Sequence, residues 1–110
     1  MTTDQKTIVA DFQQVVNMSS KEIERWLATK ESQSVGQKQD ENGSIGHQSG
    51  KKIIQILDKK KSDYTDNDMQ HMQRVVSYVR RHSAQKPEGD IEHSRWRYSL
   101  MNWGHDPLNS

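Results

Sequence analysis

The sequence predicts an all-α protein, a compact bundle of about five helices interrupted by one long polar loop. Three observations lead there. Apolar residues recur at i, i+3, i+4 and i+7 in successive stretches, the spacing of one helix face. Two stretches, Met18 to Ile23 and Tyr64 to Met69, carry complete helix-start signals. No segment alternates apolar and polar residues over the length of a half-buried strand.

The first helix is expected over Asp4 to Val16, where Ile8, Phe12 and Val15 share a face with Val9 and Val16 alongside. After Asn17, Ser19 is placed to cap a second helix, Glu22 to reach back to the cap, and Met18 to staple onto Ile23. That helix runs to Thr29 or Lys30 and buries Ile23, Trp26 and Leu27. From there Gly, Ser, Gln, Asn and Asp dominate, and residues 32–48 are expected to form a flexible loop. A loop so long inside a small domain usually has a function or is disordered. Ser34-Val35-Gly36 is echoed by Ser44-Ile45-Gly46 around an Asn42-Gly43 turn signal, which suits a short hairpin, but a mobile insertion with two ordered feet is the preferred reading.

Ser49 is the expected cap of the third helix, with Ile53, Ile54, Ile56 and Leu57 as its apolar face and an end near Lys60. Thr65 and Asp68 then form a capping box, and Tyr64 can staple onto Met69. The fourth helix extends from Asp66 to about Ala84, with Met69, Met72, Val75, Val76 and Val79 turned inward and Pro87 beyond its end. A closing helix, from Ile91 or Arg95 to Trp103, aligns Trp96, Leu100 and Trp103 on one face. Gly104 follows as the terminating residue and Pro107 as the stop. Residues 1–4 and 107–110 are expected to be frayed ends.

At 110 residues the chain makes one domain, and with 30% hydrophobic residues and a mean hydropathy of -1.11 its core is small. Three of its seven aromatic residues fall in the closing helix, so that helix supplies much of what can be buried. The absence of cysteine excludes a disulfide framework and thiolate metal sites. No apolar run has the length of a membrane span and no apolar signal segment opens the chain, so a soluble cytoplasmic protein with no membrane partner is expected. Net charge is +1, yet residues 1–45 hold 5 Lys and Arg against 7 Asp and Glu, and residues 46–110 hold 11 against 8. The basic residues of the second half come in runs: Lys51-Lys52, Lys59-Lys60-Lys61 and Arg80-Arg81.

On the fourth helix His71, Arg74, Tyr78, Arg81, His82 and Gln85 fall in one sector beside the core face, at 100° per residue. Arginines there suit phosphates, and Tyr or His suits sugar or base. Lys51 and Lys52, read in the first turn of the third helix, lie near free amides that favour a phosphate, and Lys59 to Lys61 lie at its end. Helix, short turn and longer helix is the outline of a helix-turn-helix. Other chemistries fit less well. His71 and His82 are about 16 Å apart along a helix, too far to chelate one metal. His105-Asp106 lacks a nucleophile with a supporting motif. Gly46-His47-Gln48-Ser49-Gly50-Lys51-Lys52 is one residue short of a phosphate-binding loop, has Lys52 where Ser or Thr is needed, and follows no strand.

Several motifs resemble a small family of unknown function found in bacteria and fungi. They are Val16-Asn17-Met18, Trp26-Leu27, Ser34-Val35-Gly36, Gly46-His47 with Ser49-Gly50, the helix Ile53 to Lys61, Tyr64-Thr65-Asp66 and, above all, the long run from Trp96 through Asn102-Trp103-Gly104-His105-Asp106-Pro107. The resemblance spans about residues 10 to 108. Some members carry the label DNA-binding, so the resemblance implies a nucleic-acid role and supplies no catalytic or ligand residues. The expected function is thus a small non-enzymatic DNA-binding protein with no cofactor and no metal, meeting duplex DNA through Lys51, Lys52, Lys59, Lys60, Lys61, Arg74, Tyr78 and Arg81. The alternative is an interaction module in which the aromatic closing helix or the long loop docks a partner or a second copy of the chain, a homodimer.

Overall fold

The computed structural model describes residues 5–35, 39–40 and 43–108. Among them lie helices α1 (Gln5–Val15), α2 (Ser20–Leu27), α3 (Lys30–Ser34), α4 (Ile45–Leu57), α5 (Asp66–Ser83) and α6 (Arg95–Asn102), with a 3-10 turn at Lys61–Asp63. A minimal antiparallel ladder, β1 (Gln39–Asp40) with β2 (Gly43–Ser44), precedes α4. The all-α expectation holds. The expected fraying of residues 1–4 and 109–110 lies outside the described residues.

Both capping boxes form. The Ser19 amide donates to Glu22 Oε1 at 3.0 Å and the Glu22 amide to Ser19 Oγ at 3.2 Å. The Thr65 amide donates to Asp68 Oδ2 at 3.0 Å and the Asp68 amide to Thr65 Oγ1 at 3.1 Å. Each box satisfies amides that a helix start leaves without partners. At the other end of the chain α6 closes in a Schellman motif. Gly104, at φ +79°, allows the His105 amide to reach the Leu100 carbonyl at 3.0 Å and its own amide to reach Met101 at 3.0 Å.

The expected loop over 32–48 is corrected at both ends. Thr29 accepts the Ser32 amide at 3.1 Å and caps α3, which a search for apolar periodicity misses because only Ser32 is buried in its five residues. Helix α4 begins at Ile45, so Ser49 is not its cap but a buried residue of its second turn. Gly46, Ser49 and Gly50 read as loop composition, yet they form a face thin enough for α2 and α6 to close on. A Cβ on Gly50 would stand 2.8 Å from Leu27 Cδ2 and 2.9 Å from the Asn102 carbonyl oxygen, and one on Gly46 would stand 3.1 Å from Asn102 Nδ2. The glycines are there for close approach, not for a turn.

Helix α5 packs chiefly on α1, α2 packs chiefly on α4, and α6 touches α2, α3, α4 and α5. The closing helix thus bridges two helix pairs. Phe12, Ile23, Ile53, Ile56, Met72, Val75 and Leu100 are fully buried at the centre, and Trp103 is 6% exposed. Met69 and Trp96 are only partly buried against this core.

The polar groups of the terminal motif are spent on the same closure. Arg97 grips Asp106 with two hydrogen bonds of 3.0 Å, a bidentate pair. Asn17 Nδ2 donates to the Asp106 carbonyl at 3.0 Å, and the Asp106 amide donates back to Asn17 Oδ1 at 2.8 Å. The Trp96 indole donates to the His82 carbonyl at 2.6 Å, satisfying an acceptor at the end of α5. Pro107 and Leu108, expected to fray, follow Asp106 with the Leu108 amide donating to its Oδ1 at 3.0 Å.

Candidate nucleic-acid interface

The expected interface residues all lie on α4, α5 or the link between them, but they do not share one role. Asp68, at the start of α5, is 0% exposed. Lys52 Nζ stands 2.8 Å from its Oδ1 and Lys59 Nζ 2.7 Å from its Oδ2. Lys59 makes a directed hydrogen bond, while Lys52 approaches off the hydrogen-bonding direction and acts by charge. Burial opposes ionisation of this carboxyl, but the two ammonium groups and the Thr65 amide outweigh it and hold it far below the usual carboxylate range. The two lysine side chains are 27% and 34% exposed, against none of the carboxylate. Because α4 starts at Ile45, Lys51 and Lys52 are not in its first turn, and the expected phosphate site at that helix start is withdrawn.

The expected sector of α5 splits in two. His71, Tyr78 and His82 turn toward the core edge and line up with Trp103. Tyr78 lies 4.3 Å from Trp103 at 14° and 4.9 Å from His82 at 17°, and His71 lies 6.2 Å from Trp103 at 10°. Stacking of this kind adds to the area term. Tyr78 is therefore committed to this row of rings and is removed from the set that could meet a base. Arg74, Arg81 and Gln85 point outward and are exposed.

His71 is half-buried, its Nε2 3.1 Å from Ser49 Oγ. Burial pushes its imidazole below the ordinary range, and the charges of Arg74 and Lys52 push the same way. Two cations from different helices thus act at one imidazole. Lys51, Lys60, Lys61, Arg74 and Arg81 are exposed and make no ion pair among the described residues. Arg80, outside the expected set, lies 3.4 Å from Asp11 across the α1–α5 contact. Residues 51–81 hold eight Lys and Arg against four Asp and Glu, a net +4, and the rest of a chain of net +1 carries -3.

Other chemistry finds less support. His105 Nδ1 is 2.7 Å from the Val15 carbonyl, an anchor between the tail and α1. Asp90, Glu92 and His93 come close together, but all three are exposed and His93 Nδ1 already meets Asp90 at 2.9 Å, closing a turn. The clefts flanking α1 are lined by residues such as Ile8, Val76 and Arg80 on one side and Val9, Tyr64 and Met69 on the other, with no histidine in either. Of the closing helix, which the alternative reading expects to dock a partner, Leu100, Met101 and Trp103 are buried and Trp96 is half-buried.

What the sequence reading missed is Asp68 as more than a cap. Its spacing after Thr65 is plain in the sequence, but nothing in that spacing shows that Lys52 of α4 and Lys59 just beyond α4 both come to it. No helix among the described residues is long and apolar enough to cross a membrane. No curated protein and no solved structure matches the chain. A family model does match, over residues 11–101, so the chain belongs to a family described as protein of unknown function, DUF3140.

Proposed function

We propose that this protein is a small non-enzymatic DNA-binding protein that holds the phosphate backbone of a duplex with the cations of α4, α5 and the turn between them. The observation that carries this reading is the charge division: +4 over residues 51–81 against -3 over the remainder. Lys51, Lys60, Lys61, Arg74 and Arg81 supply the exposed contacts. Arg74 and Arg81 are two helical turns apart, about 10.5 Å along α5. Contacts of this type fix position on a duplex without reading its sequence. The α4-turn-α5 pair supports a helix-turn-helix likeness in connectivity alone, since α5 packs mainly on α1 and α4 on α2.

The test is fluorescence anisotropy on a labelled duplex across a salt series. With five phosphates neutralised, one by each of these cations, the log-log slope against salt is about -4.5. Changing Lys51, Lys60, Lys61, Arg74 and Arg81 together to Ala should abolish binding, while the circular dichroism stays helical because these side chains are exposed. An absence of duplex binding at low salt, or binding untouched by the five changes, would overturn the reading.

A further inference from the structure

We infer that Asp68 is a positioning residue that joins Lys52 and Lys59 into one two-pronged clamp for a single phosphate. The inference rests on the duplex-binding reading and assigns within it a joint role to three residues. Three features carry it. The carboxylate is 0% exposed while the lysine side chains are 27% and 34% exposed, so the anion is the more deeply buried partner of both cations. Each lysine takes a different oxygen, at 2.8 and 2.7 Å, which places two ammonium groups side by side that would otherwise repel. Each ammonium has three N–H donors; Lys59 directs one at the carboxylate and Lys52 meets it by charge, leaving the rest for an outer acceptor. The carboxylate is itself fixed, because Oδ2 also accepts the Thr65 amide at 3.0 Å as part of the α5 cap.

A purely structural staple would need none of this exposure. A buried ion pair contributes little net stability once desolvation is counted, so three charges gathered at one helix junction are better explained by what their outer side presents. That side is a pair of neighbouring ammonium groups, which suits two oxygens of one phosphate.

Two measurements test the clamp on the intact protein. The first is the salt slope of duplex binding for Lys52→Gln, Lys59→Gln and the double change. Two lysines on one phosphate lower the slope by about 0.9 in total once both are changed, whereas lysines on separate phosphates lower it by about 0.9 each. The second is Asp68→Asn, which removes a negative charge. Simple electrostatics has that variant bind duplex more tightly, but the clamp predicts binding weaker by about tenfold, the scale of one charge-assisted hydrogen bond. Folding of each variant is checked by circular dichroism at the assay temperature. Should any variant unfold, the unaltered protein still decides through NMR of its lysine ammonium groups during duplex titration. Lys52 and Lys59 signals moving together at one ratio support the clamp, and one moving without the other overturns it. Additive slopes or tighter binding by Asp68→Asn overturn the clamp alone, while failure of the unaltered protein to bind duplex overturns the function as well.

Discussion

Asn102 Oδ1 accepts the indole N–H of Trp26 at 2.7 Å, joining α6 to α2 across 76 positions of sequence. The same oxygen accepts the Ser32 hydroxyl at 2.5 Å, and Asn102 Nδ2 returns a hydrogen bond of 3.1 Å to the Ser32 carbonyl. One amide, 1% exposed, therefore ties α2, α3 and α6 together.

Replacing it tests that role. Asn102→Ala leaves the Trp26 donor and two Ser32 groups without their partner, at a cost of about 2–4 kcal/mol. Urea denaturation followed by tryptophan fluorescence measures it. A loss under about 0.5 kcal/mol would show that the three bonds do not hold the helices.

Close approach at α4 is tested by Gly50→Ala. The added methyl meets the Asn102 carbonyl oxygen at 2.9 Å, which is backbone and cannot swing aside, besides Leu27 Cδ2 at 2.8 Å. Overpacking of this size costs about 1–3 kcal/mol, despite the gain in helix propensity that Ala brings. A thermal melt that rises instead of falling would show that α2 and α6 can move apart freely.

Gly104→Ala and Gly89→Ala form a matched pair. Both glycines have positive φ, +79° and +92°, so each substitution carries a left-handed penalty of about 1–2 kcal/mol. Only Gly104 has a neighbour, with Val16 Cγ1 3.1 Å from the added carbon. Chemical denaturation should find Gly104→Ala the more destabilised of the two, and equal losses would remove any part for the Val16 contact.

Acidification should loosen the ring row. Burial lowers the imidazole pKa of His71 and His82 from the ordinary 6.5. The unfolded chain then binds these protons more readily than the folded one. Their stabilising contribution is whole above about pH 6.5, declines below it, and is lost as pH falls through the folded values. Melting temperature measured between pH 8 and pH 5 should drop further for the unaltered protein than for the double variant His71→Gln and His82→Gln. Asp68 stays ionised over that window, because its pKa is lowered instead. Parallel curves for the two proteins would rule out this source of pH dependence.

Arg97→Lys tests the terminal clasp. A lysine keeps the charge but not the two-pronged grip on Asp106, whose side chain is 16% exposed. A loss of about 1 kcal/mol in urea denaturation is expected, near the upper range for a partly exposed pair. An unchanged midpoint would mean that charge alone suffices there.

What the sequence determined by itself is the local structure of α1, α2, α5 and α6, though not α3 or the start of α4. Ser19 with Glu22 and Thr65 with Asp68 specify helix starts because capping needs only residues three apart, and Gly104 specifies a helix end for the same reason. The inward faces of α1, α4 and α5 follow from periodicity, as does the core role of Leu100 and Trp103. Tertiary structure decided the meaning of residues whose partners lie far away in the chain. Gly46, Ser49 and Gly50 resemble a loop until Leu27 and Asn102 are set against them. Lys52, Lys59 and Tyr78 resemble the free cations and ring of a binding face until Asp68 and Trp103 engage them. The physical reason is common to these cases. Capping and amphipathicity are short-range properties of consecutive residues, whereas close approach, ion pairing and stacking depend on which surfaces meet once the helices pack.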